Sequence, residues 1–292
     1  MKPEVYKAYV KILHDELVPA MGCTEPIAIA YAAALARDTL GCLPQRIEVQ
    51  ASGNLIKNVK SVVVPNTGGL KGIEAAAVAG VIAGDASKEL EAISVVTDSQ
   101  KAEIQALVAA GMCTASLLES GLVFDLIVTV FSGTSSARVR IANHHTHVVL
   151  VEKDGQVLRQ QPVDFSSSIG EIPAEKQMLT IHDILEFAET AKLDDVREVL
   201  MRQVRYNTAI CEEGLRGDYG ANVGKVLLRE CGSDVDVRCK AKAAAGSDAR
   251  MGGVSCRWSS TRAPATRASP CPCQWWSTPG SWGSARTKCC GP

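Results

Sequence analysis

The stretch with the most chemical potential is Met21-Gly22-Cys23-Thr24-Glu25-Pro26, followed by the small apolar run from Ile27 to Leu35. Pro26 pushes Glu25 toward an extended conformation and is itself preset for a first helical turn, so Glu25 is expected to cap a helix that Pro26 opens. Cys23 then falls just outside a helix N-terminus, where unpaired N–H groups favour a thiolate over a thiol. Such a thiolate could act as base, nucleophile or metal ligand. A small, buried, apolar cysteine fits the same position equally well.

Three further polar segments could hold a ligand. Gly53-Asn54-Leu55-Ile56-Lys57-Asn58 reads as a polar-tipped turn or short helix. Pro65-Asn66-Thr67-Gly68-Gly69-Leu70-Lys71-Gly72 is a glycine-rich loop leading into a helix, which can bind an anion such as a carboxylate or be a plain turn. It is not a P-loop, because Lys71 precedes Gly72 where that motif needs Gly-Lys-Ser/Thr. A second polar glycine loop is expected over Gly246 to Gly253. His145 and His147 are expected to share one face of a strand, a two-ligand metal geometry, but no third ligand lies nearby in sequence. A substrate contact or a satisfied polar face suits that pair as well.

The elements that must position these residues follow from periodicity. Tyr9, Ile12, Leu13 and Leu17 recur at helical spacing in a first amphipathic helix. The alanine-rich second helix is expected to stop at Gly41. Strands are predicted over 46–51, 61–64, 93–97, 122–131, 137–142 and 144–151, with a hairpin turn at Asp154-Gly155 before a strand over 156–159. Helices are predicted over 73–83, 101–118, 181–191 and 194–228. The glycines at 214, 217, 220 and 224 interrupt the last of these and suggest close backbone packing or a substrate-side loop. The fold class expected is α+β: a helical N-terminus, an antiparallel sheet section, and a glycine-rich helical core that is cut short. The division expected is 1–180, 181–254 and a tail over 255–292.

Composition sets limits. The 292 residues suffice for one large or two ordinary domains, and the net charge of −1 hides a split. Residues 255–292 hold five Lys/Arg and no Asp or Glu, leaving 26 basic against 32 acidic side chains in the rest, a charge of −6. An acidic body argues against nucleic acid or an anionic membrane as partner. No leader-like or membrane-length apolar run stands out, so a cytoplasmic location is expected. Six of the eleven cysteines are spread singly from Cys23 to Cys239 and read as free thiols or cluster ligands. The segment after Val254 has all four tryptophans and five cysteines but no Leu, Ile, Val, Met, Phe or Tyr. Its Cys271-Pro272-Cys273 and Cys289-Cys290 spacings do not suit a zinc site. A two-base shift of reading frame near Ser255 would restore strand periodicity and an Asn-Ser-Gly-Ser-Gly-Asn-Gln-Gly loop, so a frameshifted, truncated chain is expected.

Taken together, Gly22-Cys23-Thr24-Glu25-Pro26, Gly53 to Asn58, Pro65 to Gly68, Ser94 to Asp98, Glu212 to Leu215 and Ala243 to Gly253 resemble the L-cysteine desulfidase family and its relatives, the iron–sulfur L-serine dehydratase α subunits. The resemblance implies a lyase that converts L-cysteine to pyruvate, ammonia and hydrogen sulfide, or L-serine to pyruvate and ammonia. It implies Cys23 as the catalytic cysteine, with Thr24, Glu25, Asn54, Lys57, Asn58, Asn66, Thr67 and Gly68 gripping the amino acid. It also implies a [4Fe-4S] cluster held by three C-terminal cysteines. Cys42, Cys113, Cys211, Cys231 and Cys239 do not match those ligands, so no metal ligand is expected to be retained and the chain is expected to be inactive. The partner implied is a small amino acid, and a homo-oligomer is possible. Pyridoxal phosphate chemistry would need a Schiff-base lysine, and neither Lys57 nor Lys71 sits in such a motif. An amino-acid-binding module without turnover is the remaining alternative.

Overall fold

The computed structural model describes residues 1–163, 165, 174–255 and 257–260, the last four for their backbone only. Along the chain run α1 (Pro3–Glu16), β1 (Val18–Met21), α2 (Thr24–Leu40), β2 (Arg46–Ala51), α3 (Gly53–Val59), α4 (Gly72–Ala83), a 3-10 helix (Ala86–Glu91) and α5 (Asp98–Ala109). Then come β3 (Cys113–Leu117), β4 (Asp125–Ser132), β5 (Ser135–Ala142), β6 (Val148–Lys153) and β7 (Gln156–Gln160). The remainder is α6 (Ala174–Gln177), α7 (Ile181–Thr190), α8 (Leu193–Arg216), α9 (Val223–Cys231), α10 (Val235–Met251) and β8 (Arg257–Ser260). The fold class is α+β. The described residues form two compact units: residues 20–163 and 165 with 250–255, and residues 1–19 with 174–249 and 257–260. The first helix thus groups with the C-terminal helices rather than with the sheet. The expected tail over 255–292 lies almost wholly outside the described residues.

The sheet unit is built on a six-stranded sheet in the order β3-β2-β4-β5-β6-β7, antiparallel except for the β2–β3 pair. Alternation decides which face is buried. Ile47, Val49 and Ala51 of β2 stand opposite Val130, Val128 and Leu126 of β4, and Val139 of β5 stands opposite Val128. These residues are all buried, so one apolar face is continuous across the three strands. Helix α2 covers strands β4 and β5 and is buried along nearly its whole length, as a helix apolar on every side must be. Its small alanines let α4 approach closely. A left-handed Gly41 ends it, as its sequence predicts.

The predicted elements are corrected in five places. The run over 101–118 breaks at a left-handed Gly111, so α5 ends at Ala109 and Cys113 opens β3. Residues 93–97 form no strand but an irregular lead into the Thr97 capping box of α5. Val62 to Val64 contributes only a bridge between Val63 and Lys71. Residues 144–147 form a turn rather than strand, closed by Ala142 N donating to His147 O at 3.2 Å. Finally, α10 runs on to Met251, so most of the expected second glycine loop is helix. Gly246 within it sits against Cys211 of α8, where an added Cβ would come within 2.9 Å of the sulfur. Asp154-Gly155 does make the β6–β7 turn, with φ of 50° and 81° at the two residues.

In the helical unit, Tyr6 and Tyr9 of α1 each pack against Phe187 of α7 with ring centroids 5.4 Å apart. The Tyr6 hydroxyl donates to Asp195 Oδ2 at 2.7 Å. Gly214 of α8 faces Ala245 O of α10 so closely that a Cβ would come within 2.0 Å of it. Close backbone packing, one of the two readings of that glycine series, is what this residue serves.

Candidate functional site

Cys23 is itself the N-cap of α2, with extended φ and ψ of −83° and 133°, and Thr24, Glu25 and Pro26 make up the first turn. The expected arrangement, with Glu25 as cap, is therefore moved by two residues. The consequence is chemical. Glu25 lies two residues into the helix, and its carboxylate turns back to accept from the Cys23 thiol, Sγ to Oε2 2.8 Å. Thr24 Oγ1 donates to the same oxygen at 3.3 Å, and Asn58 Nδ2 of α3 donates to Oε1 at 3.4 Å. Cys23 and Glu25 are each 3% exposed.

Two more side chains complete the cluster. Arg250, at the end of α10, donates from Nε to Gly22 O at 3.2 Å and also reaches the Cys23 sulfur. His145, in the turn between β5 and β6, lies against the Phe124 ring with centroids 4.6 Å apart. Its Nε2 is out of solvent and has no hydrogen-bond partner. The chain segment that carries Arg250 is pinned to the sheet unit further on, where Ser255 Oγ donates to Asn66 Oδ1 at 2.6 Å.

The electrostatics overturn the thiolate expectation. Burial, then the charge of Glu25 and its hydrogen bond, push the Cys23 thiol up to about 12. The helix terminus acts on Glu25 more than on Cys23, because the carboxylate lies inside the first turn and the sulfur does not. Burial works to raise the Glu25 carboxyl, but the Cys23 hydrogen bond, the neighbouring His145 and Arg250 outweigh it and hold Glu25 below the usual carboxylate range. Burial lowers His145 despite the attraction of Glu25. At neutral pH the site is thus a thiol on a carboxylate, beside a neutral imidazole and a guanidinium.

The other expected contacts lie elsewhere. Asn54 and Lys57 are exposed on α3, away from the cluster that Asn58 joins. Asn66 donates from Nδ2 to Ile93 O at 2.8 Å and receives Ser255 on its other end, so both ends of the amide serve the fold. Thr67 is fully buried, its hydroxyl donating to Val64 O at 2.8 Å. Gly68 is exposed in a left-handed turn against Gln105. Of the eight expected substrate contacts, Thr24, Glu25 and Asn58 join Cys23, and the rest do not. Arg250 and His145 were absent from that set. Arg250 was hidden because its segment read as loop. His145 is singled out in the sequence only as one of a strand pair with His147, open to a metal, a substrate contact or a satisfied polar face; the turn breaks that pair, and His147 Nδ1 lies 3.2 Å from Ala142 O.

The described residues do not fit a [4Fe-4S] cluster. Cys23, Cys113 and Cys211 are buried and Cys42 and Cys231 exposed, and no three described cysteines bring their sulfurs together. The converging group of possible ligands among the described residues is His182, Asp183 and Glu186, on the surface of α7. Glu186 there pairs with the Met1 amine and Asp183 accepts from Thr180 Oγ1 at 2.8 Å. No described helix is long and apolar enough to cross a membrane.

No family model matches the chain, and no solved structure matches it. Among curated proteins, a UPF0597 protein of Desulfitobacterium hafniense (strain Y51) is 48% identical over 248 residues, 85% of this chain and 57% of the relative. UPF0597 proteins of Lachnoclostridium phytofermentans and Treponema denticola are 46% and 40% identical, over 85% and 86% of this chain and 59% of each relative. The chain spans less than two thirds of the length of these relatives. None of them carries a desulfidase or serine dehydratase name, which corrects the family resemblance drawn from the motifs. Nor do these matches support a shifted frame after residue 254, and that expectation falls as well. By sequence, the chain is similar to UPF0597 proteins over most of its own length.

Proposed function

We propose that the cluster at the start of α2 is the proton-transfer site of a lyase that eliminates the β-substituent of a small amino acid, L-cysteine or L-serine. The observation that carries this reading is the buried 2.8 Å hydrogen bond from Cys23 Sγ to Glu25 Oε2 with Arg250 beside it. An α,β-elimination needs a base for the Cα proton, an acid for the leaving group and a cation for the carboxylate. The ionised Glu25 suits the first, the Cys23 thiol the second and Arg250 the third.

The roles are thereby reversed relative to a cysteine base. Glu25 takes the Cα proton, the Cβ–S or Cβ–O bond breaks, the Cα–Cβ double bond forms, and the Cys23 thiol protonates the departing sulfur or oxygen. Glu25 then passes its new proton across the hydrogen bond to the Cys23 sulfur, which restores the resting pair. The released aminoacrylate tautomerises to an imine and takes up water to give pyruvate and ammonia. Cys23 and Glu25 are each 3% exposed, so an amino acid reaches them only when the site opens. No step is routed through an iron–sulfur cluster.

Solvent exchange of the Cα proton isolates the first step. With L-cysteine or L-serine in deuterated water under anaerobic conditions, proton NMR is expected to show loss of the Cα signal, at least about 100-fold slower with Glu25→Gln. Binding without exchange would favour an amino-acid-binding module. Absence of both binding and exchange would contradict the proposal.

A further inference from the structure

We infer that His145 Nε2 is a substrate contact, accepting a hydrogen bond from the ammonium group of the amino acid whose Cα faces Glu25. This rests on the proposed function and adds a specificity element to it: selection of an α-amino acid over the matching α-hydroxy acid.

The starting point is a deficit. A polar nitrogen shut away from water without a partner costs about 1–3 kcal/mol, and native structures retain few such atoms. His145 Nε2 is one. Arg202 Nε and Arg238 Nε share that description, but a guanidinium keeps four other N–H groups, whereas an imidazole has only one other nitrogen. The His145 ring is also held in place against Phe124, so its orientation is set by packing.

What surrounds the nitrogen indicates what would fill the gap. Glu25, His144 and Arg250 are the charged and titratable groups that act on His145. Burial keeps the imidazole neutral, which leaves a lone pair to accept with and adds no charge to repel an ammonium. Glu25 supplies the negative charge that draws the ammonium in. Arg250, which reaches the Cys23 sulfur, supplies the positive charge that draws the carboxylate. A zwitterion is thereby oriented with its Cα between the two. An α-hydroxy acid keeps the carboxylate contact but brings no positive charge to Glu25, so it binds less well.

The test uses the full chain, with L-serine and glycerate, its α-hydroxy counterpart, as probes. Nitrogen-15 NMR of the imidazole should show the His145 Nε2 resonance moving on titration with L-serine and less with glycerate. The preference for L-serine over glycerate should drop at least tenfold in both His145→Leu and His145→Gln, the second variant covering any folding defect in the first. A resonance unmoved at saturating L-serine, a preference unchanged in both variants, or no binding of L-serine would each overturn the inference. A moved resonance without Cα exchange in the wild type would support the contact while removing the elimination reading.

Discussion

Two turns in the sheet unit look alike on paper and behave differently. Residues 21–26 lead into α2 and residues 65–71 into α4, and both are polar, glycine-bearing entries to a helix of small buried residues. In the second turn the polar groups close on backbone carbonyls and one hydroxyl: Thr67 donates to Val64 O, and Asn66 donates to Ile93 O and accepts from Ser255 Oγ. In the first, Cys23, Glu25, Asn58 and Arg250 meet one another through side chains. A turn whose polar atoms satisfy its own backbone stabilises the fold. A turn whose polar atoms are satisfied by titratable side chains can also move a proton.

Substitutions should separate the two turns, with the largest effect in the first. Arg250→Met strands the buried Glu25 charge and is expected to cost about 3 kcal/mol in urea denaturation, besides abolishing Cα exchange. Glu25→Gln keeps the shape and the acceptor for Cys23 and Thr24 but sets an amide donor against Asn58 Nδ2, so it should remove at least about 100-fold of exchange, or about 2.7 kcal/mol of barrier, with less loss of stability than Arg250→Met. Alkaline titration probes the pair without a ligand. The Cys23 thiol, raised from 9.0 to about 12, keeps its proton in the folded state while the unfolded chain loses it. The folded state then binds more protons than the unfolded between pH 9 and 12, so stability falls as pH rises through that window. Cys23→Ala should lessen that fall by about 1.4 kcal/mol per pH unit, read from denaturation midpoints. Cys113, raised likewise to about 12 by burial and then Glu74, keeps its own share of the slope.

The second turn should answer in stability alone. Thr67→Val leaves the Val64 carbonyl unpartnered and is expected to lower stability by about 1–2 kcal/mol, with Cα exchange unchanged. Asn54→Ala and Lys57→Ala, at exposed positions on α3, should lie within about 0.5 kcal/mol of wild type and leave exchange untouched. Loss of exchange in Thr67→Val at retained stability would break the contrast between the turns.

Local pattern made much of this legible in the sequence. The alternation in β2, β4 and β5, the small-residue character of α2 and α4 and the turn at Asp154-Gly155 are properties of short windows, and they appear where their periods place them. The Met21 to Pro26 stretch also stood out, because a cysteine, a carboxylate and a proline around a helix start are themselves local signals. What could not be read was tertiary. Cys23 lost its expected thiolate because burial and Glu25 outweigh a helix terminus, and burial is not written in six residues. Arg250 joined from 227 positions away in the chain, and its helix persisted where glycines suggested a loop. Asn66 and Thr67 had the residue types of a ligand loop, but nearby carbonyls took up their hydrogen bonds.

The central claim is that residue 23 rests as a thiol hydrogen-bonded to an ionised Glu25. The infrared S–H stretching band at neutral pH, taken as the difference between wild type and Cys23→Ala, tests it directly. A resting thiol gives a band assignable to Cys23 that shifts in Glu25→Gln. Absence of any Cys23-dependent S–H band at pH 7 would mean a thiolate at rest, and the assignment of Glu25 as base and Cys23 as acid would be wrong.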